Sequence, residues 1–133
     1  MSLTLHGMIR ALTANVAETA PEAADPRLRG RTYAIPFDAV WRAASDLAAG
    51  QRGWTITASD DYEGTIQAEA RTLVMRFVDE VTIRIRLDDN AQTRVDMRSA
   101  SRKGVGDFGT NARRIGRFMR LLDKRLLEGA GTA

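Results

Sequence analysis

The chain contains no cysteine, which excludes a disulfide-stapled scaffold and any thiolate nucleophile or ligand, and leaves the redox compartment open. It has a single histidine, His6, close to the chain start, so no His-based acid–base pair or His metal set is expected. Aromatic residues make up only 6% of the sequence, and none falls on the polar side of a readable strand. No run approaches the roughly 18–20 apolar residues that a membrane-spanning helix requires. Internal repeats and low-complexity tracts are also lacking. Lysine is nearly missing, since 18 of the 20 basic residues are Arg; coding bias explains that as readily as a need for guanidinium chemistry.

What remains is an ordinary composition. With 133 residues, 44% hydrophobic and 28% charged, the chain suits one domain with a real core. The net charge of +3 hides an uneven distribution. Residues 1–60 sum to zero and residues 61–97 to −3, whereas residues 98–133 carry nine Lys and Arg against three acids. The basicity therefore belongs to the last helix and the turn before it. A solvated amphipathic helix accounts for it, and an anionic partner is the second reading.

Residues 1–14 read as a leader, with Met1-Ser2-Leu3 matching an expression scar. Residues 15–30, holding Pro21 and Pro26, read as an extended or irregular arm. A single α+β domain is expected over residues 31–128, followed by a tail at 129–133. Arg31 to Ile35 is a short strand that Pro36 stops. Phe37, Val40, Trp41, Ala44, Leu47 and Ala48 recur at helical spacing up to Gly50. Trp54 to Ala58 and Thr65 to Arg71 alternate as strands. Glu80 to Leu87 alternates most clearly, turns at Asp88-Asp89-Asn90, and returns as Thr93 to Ala100. Residues 110–128 form a helix whose stripe of Ile115, Phe118, Met119, Leu122 and Leu126 lies opposite Arg113, Arg117, Arg120 and Lys124.

The element order is βαββββα. Each strand has one apolar face, so a mainly antiparallel sheet should carry both helices on one face, similar to the TATA-binding-protein-like arrangement. The expected core comprises Trp41, Ile56, Ile83, Ile85, Val95, Ile115, Phe118 and Leu122. The run Leu73 to Val78 is too continuous for a plain turn. It reads as a strand extension under a helix, or as an exposed edge that docks a membrane surface, a second copy of the chain or an apolar ligand.

The most specified stretch runs from Met97 to Ile115. Ser99 and Ser101 share the inner side of their strand, and Gly104, Gly106 and Gly109 shape the turn into the last helix. Two readings of Ser99, Ser101, Arg102, Asp107, Asn111 and Arg114 follow. In one they are a structural network, with Asp107 capping the helix and pairing Arg102 or Arg114. In the other the turn and helix N-terminus hold a small anion between Arg102 and Arg114, without the residue order of a nucleotide loop.

Phe77-Val78-Asp79-Glu80-Val81, the Ile-Arg-Ile-Arg strand, Arg98-Ser99-Ala100-Ser101-Arg102, Gly104, Asp107, Gly109, Asn111 and Arg114-Ile115 together resemble the signature of the bacterial and plastid domain-of-unknown-function family 1499. The likeness extends from about Asn15 to Leu126. Many members open the domain with an Asn-Cys-Val-Ser-like stretch. Here Asn15-Val16-Ala17-Glu18-Thr19 has no cysteine, so no role of that residue carries over. Members often follow membrane segments or export signals, which agrees with a clipped start here; cytoplasmic and membrane-tethered placements both stay open, and the resemblance names no activity.

No enzyme is expected. A serine nucleophile would need a base within reach, and neither His nor an evident Lys supplies one. Asp60-Asp61, Asp79-Glu80 and Asp88-Asp89 lack the spaced oxygen pattern of a calcium loop and read as turn or solvated charges, so neither a metal nor a cofactor is implied. Arg84, Arg86, Arg94 and Arg98 fall on the polar sheet face beside Gln67, Glu69, Arg71 and Asp96. Without aromatics, and with acids interspersed, that face disfavours nucleic acid. The expectation is a non-enzymatic binding or assembly domain. Its open partners are a protein, a small anion, a membrane surface or a second copy of the chain.

Overall fold

The computed structural model describes residues 15–72, 77–102 and 109–128. Its strands are β1 (Val16–Glu18), β2 (Arg31–Tyr33), β3 (Trp54–Asp60), β4 (Thr65–Arg71), β5 (Val78–Leu87) and β6 (Thr93–Ser101). Its helices are α1 (Phe37–Gly50) and α2 (Thr110–Asp123), with a 3-10 turn at Pro26–Leu28 and a π-turn at Lys124–Glu128. The fold is α+β, and every strand pairing is antiparallel. The strands form one sheet in the order β1-β6-β5-β4-β3, and β2 also pairs with β6. β1 meets the Arg98–Ala100 end of β6 and β2 meets its Thr93–Val95 end.

Within residues 15–30, read from sequence as an arm, two short elements form. Val16, Ala17 and Glu18 add to β6, and the Asp25 carboxylate caps the 3-10 turn by accepting from the Arg27 backbone N–H. Three small or polar residues carry no readable alternation; β6 recruits them because its edge would otherwise leave peptide groups unpaired.

Register explains which face is covered. Ile66, Ile83 and Met97 lie in one cross-strand row, and Ala68, Val81 and Ser99 in the next. These residues are buried, while Thr82, Arg84 and Arg86 between them are half-buried or exposed. The inner rows join Val40, Ala44, Leu47 and Ala48 of α1 and Ile115, Phe118, Met119 and Leu122 of α2 in one core. Each large side chain so buried contributes about 1.5–3 kcal/mol. Both helices therefore cover the same face. Trp54 of β3 stacks on Phe118 of α2 with ring centroids 5.6 Å apart.

Two residues expected in the core sit at its margin instead. Ile56 is half-buried on the edge strand β3, beside a register shift between Ile56 and Ala58. Trp41 is half-buried and stacks on Phe37 at 5.9 Å along the flank of α1.

Two turns tighten the sheet. Asp88 closes the β5–β6 hairpin by accepting the N–H groups of Asn90 and Gln92. Gly64, at φ +74°, brings its backbone so close to β5 that a Cβ would stand 2.0 Å from the Ile85 carbonyl oxygen. Between β4 and β5, Thr72 N–H donates to the Phe77 carbonyl, and Phe77 N–H donates to the Thr72 hydroxyl, both at 2.8 Å. The remainder of the apolar run, Leu73 to Arg76, lies outside the described residues.

Candidate functional site

The inner face of the sheet turns polar in its third row, where Ala70, Asp79 and Ser101 stand opposite one another. Asp79 shares strand parity with Val81, Ile83 and Ile85, so β5 aims its carboxylate at the helix side. It is only 2% exposed and receives the Arg114 guanidinium at 2.7 Å from α2. A buried carboxylate without that partner would be strongly disfavoured.

The pair anchors a wider network. Arg114 Nη1 also donates to Asn111 Oδ1 at 2.7 Å and to Ser99 Oγ at 3.1 Å. The Ser99 hydroxyl donates to Asn111 Oδ1 at 2.7 Å. The Asn111 amide donates to Ser101 Oγ at 3.0 Å and to the Asn15 carbonyl at 2.9 Å. Asn15 returns its own amide to the Ser101 carbonyl at 2.8 Å. One turn of α2 is thereby pinned to β5, β6 and the residue just before β1. Among the described residues, the single buried side-chain nitrogen or oxygen without a partner is Ser45 Oγ on α1, away from this network.

The structure thus brings together Ser99, Ser101, Asn111 and Arg114 and adds Asp79 and Asn15. Arg102 is not with them. One residue beyond Ser101, its exposed guanidinium lies against Glu69 and Glu80 on the opposite side of the sheet. The Glu69 carboxylate holds the Arg102 proton even more firmly than usual. Asp107 lies outside the described residues, as does its suggested capping of α2. The carboxylate partners of the two arginines are Asp79 for Arg114 and Glu69 with Glu80 for Arg102.

Sequence reasoning missed Asp79 and Asn15. For Asp79 the signal was available: counting back by two from Val81 puts it on the apolar side. Asn15 gave none, because its role depends on β1 pairing. A second inner cluster lies at the other end of α2. There Asp123 accepts from the Tyr33 hydroxyl at 2.6 Å and from Arg31 Nε at 3.0 Å. Burial first, and then this bond to a carboxylate, push the Tyr33 phenol well above its ordinary pKa.

The outer face is built differently. Among the described residues no helix covers it, and a concavity of about 650 Å³ opens there, lined by Glu18, Glu63, Gln67, Arg84, Arg86 and Arg98 among others. A smaller one of about 270 Å³ adjoins it around Gln67, Glu80, Thr82 and Arg98. At its rim Arg94 grips Asp96 through two bonds of 2.9 Å, and Thr19 Oγ1 donates to Asp96 at 2.8 Å. Among the described residues, Arg84, Arg86 and Arg98 are exposed and their side chains make no hydrogen bond or ion pair. Alternate residues of a strand stand about 6.8 Å apart, so Arg84 and Arg86 present two cations at that spacing.

Among the described residues no group of three His, Cys, Asp or Glu side chains could hold a metal ion, and no helix is long and apolar enough to cross a membrane. A comparison with curated proteins finds no match. The family comparison is positive: the model described as "Protein of unknown function (DUF1499)" matches residues 11–122, so the chain belongs to that family.

Proposed function

We propose that this chain is a non-enzymatic binding domain that presents the open face of its sheet to an extended, acidic segment of a partner protein. The observation that carries this reading is the pairing of a sheet face that no described helix covers with the side chains of Arg84, Arg86 and Arg98, which lack partners within the described residues. Carboxylates on alternate residues of an extended peptide repeat at about 6.8 Å, the spacing of Arg84 and Arg86. Glu18, Glu63 and Gln67 accept hydrogen bonds from such a peptide's amides, which a phosphodiester chain lacks. The non-enzymatic part is supported by Ser99, whose hydroxyl donates to an amide oxygen rather than to a base.

The anion reading of the turn before α2 finds less support. Its clamp needs Arg102 and Arg114 free and convergent, whereas each is paired and they face opposite sides of the sheet.

Fluorescence anisotropy with a labelled alternating Glu–Thr peptide tests the proposal. Binding should weaken as salt rises and vanish in Arg84→Ala/Arg86→Ala, with an unchanged melting temperature. Absence of binding, or full binding by the double variant, would overturn it.

A further inference from the structure

The solvent side of α2 carries a separate feature. Arg113, Arg117, Arg120 and Lys124 succeed one another at i, i+4, i+7 and i+11, opposite the stripe buried against the sheet, and all four are exposed. Over eleven residues at 1.5 Å each, they form a straight row about 16 Å long. Every neighbour at three or four positions within the row has the same sign, an arrangement that weakens an isolated helix. No acid interrupts it. Asp123 is engaged with Arg31 and Tyr33, and Asp25 with Arg27, whose stem lies over Gly116 on the flank of α2. Arg113 Nη2 donates to Thr110 Oγ1 at 3.3 Å, and the exposed acid Glu128 follows four residues beyond Lys124, past the end of the row. The contrast with α1 is plain, since that helix exposes Asp38, Arg42 and Asp46 in alternating sign.

We infer that this row docks the domain on an anionic bilayer surface. A straight crest of cations with no acid, amide or aromatic between them selects neither bases nor a peptide sequence. It matches a flat array of anionic headgroups, towards which long Arg stems extend while their heads stay hydrated. Leu127, 60% exposed just beyond Lys124, supplies an apolar side chain at the end of the row. Docked this way, the helical layer faces the lipid and the open sheet face points away from it. The inference stands on α2 alone and does not need the peptide reading.

Vesicle co-sedimentation of the full chain decides the matter. Phosphatidylcholine vesicles containing phosphatidylserine should retain the protein in a salt-sensitive way, and pure phosphatidylcholine vesicles should not. Arg117→Glu/Arg120→Glu should lower retention at least about tenfold. The same variant should melt no lower than the parent, because it removes like-charge neighbours. Arg117→Gln/Arg120→Gln should fall between the two. Arg42→Glu/Arg52→Glu, an equal charge change away from the row, should retain binding. The proposal is overturned if both vesicle types behave alike, if the reversal leaves retention intact, or if the Arg42 and Arg52 control loses as much. Binding to duplex DNA without binding to anionic vesicles overturns it as well.

Discussion

Strands β5 and β6 carry polar side chains on both faces, and the two faces treat them in opposite ways. Inside, Asp79 and Ser99 are almost fully buried and meet Arg114 and Asn111 from α2. Outside, Arg84, Arg86 and Arg98 extend from the same strands into solvent without a partner among the described residues. The physical reason is desolvation. A buried charge or hydroxyl must be matched, so the inner set is fixed by the fold; an exposed guanidinium keeps its water and is free to exchange it for a ligand. Partnered polar groups in the interior are therefore evidence of architecture, and the unpartnered ones on the open face are where binding is sought.

The largest test of that contrast removes one side of the ion pair. Arg114→Ala leaves the Asp79 carboxylate buried and uncompensated and should cost about 3–5 kcal/mol in denaturant unfolding. The double change Asp79→Leu/Arg114→Leu should recover much of the loss, because it strips out both charges and leaves the Ser99–Asn111–Ser101 bonds in place. If Arg114→Ala proves neutral, the inner set is not architectural and the contrast fails. Next comes Asn111→Ala. It takes the acceptor from the Ser99 hydroxyl proton and one of the two donors from the Asn15 carbonyl, which keeps the Ser101 N–H, and should cost about 1–3 kcal/mol, with faster amide exchange in β1 than in β4.

A smaller effect is expected at the other end of α2. Tyr33→Phe deletes the bond to Asp123 while Arg31 remains, and should cost about 1 kcal/mol. Because the folded phenol keeps its proton to higher pH than the unfolded one, this bond contributes fully below about pH 10 and is lost as pH rises above that value. The wild-type melting temperature should therefore drop more steeply than that of Tyr33→Phe in alkaline buffers. Parallel curves would show that the phenol is not the titrating contributor.

How far these features could be read from the chain follows from their range. The alternation of Val81, Ile83 and Ile85 and the spacing of Ile115, Phe118 and Leu122 are local and periodic, so sheet, helix and covered face were all legible. The same parity placed Ser99 and Ser101 inside and Arg84, Arg86 and Arg98 outside. Partner identity was not legible. Arg114 could meet a carboxylate from any segment, and Asp79 was masked by its neighbour Glu80, which makes the pair look like solvated charge. Arg102 follows Ser101 directly, so parity alone turns it to the outer face, where Glu69 and Glu80 wait on neighbouring strands. β1 escaped notice because Val16, Ala17 and Glu18 form a strand only through the edge that β6 offers them.

The smallest expected effect on stability falls on the open face, and it sharpens the comparison most. Arg84 and Arg86 are exposed and their side chains make no hydrogen bond or ion pair within the described fold, so replacing both with Ala removes no native polar bond there. Surface changes of that kind usually stay within about 0.5 kcal/mol. Two cross-strand terms offset each other: Arg86 stands directly opposite Arg94 across the β5–β6 ladder, where like charges repel, and Arg84 stands opposite Asp96, where opposite charges attract. Arg94 itself is different, since it grips Asp96 and the Arg29 carbonyl and should not be altered in the same experiment. The expected result is an unchanged melting temperature, with peptide affinity lost. A clear fall in stability would mean that these arginines hold the sheet together, and the open face would then resemble the inner one rather than contrast with it.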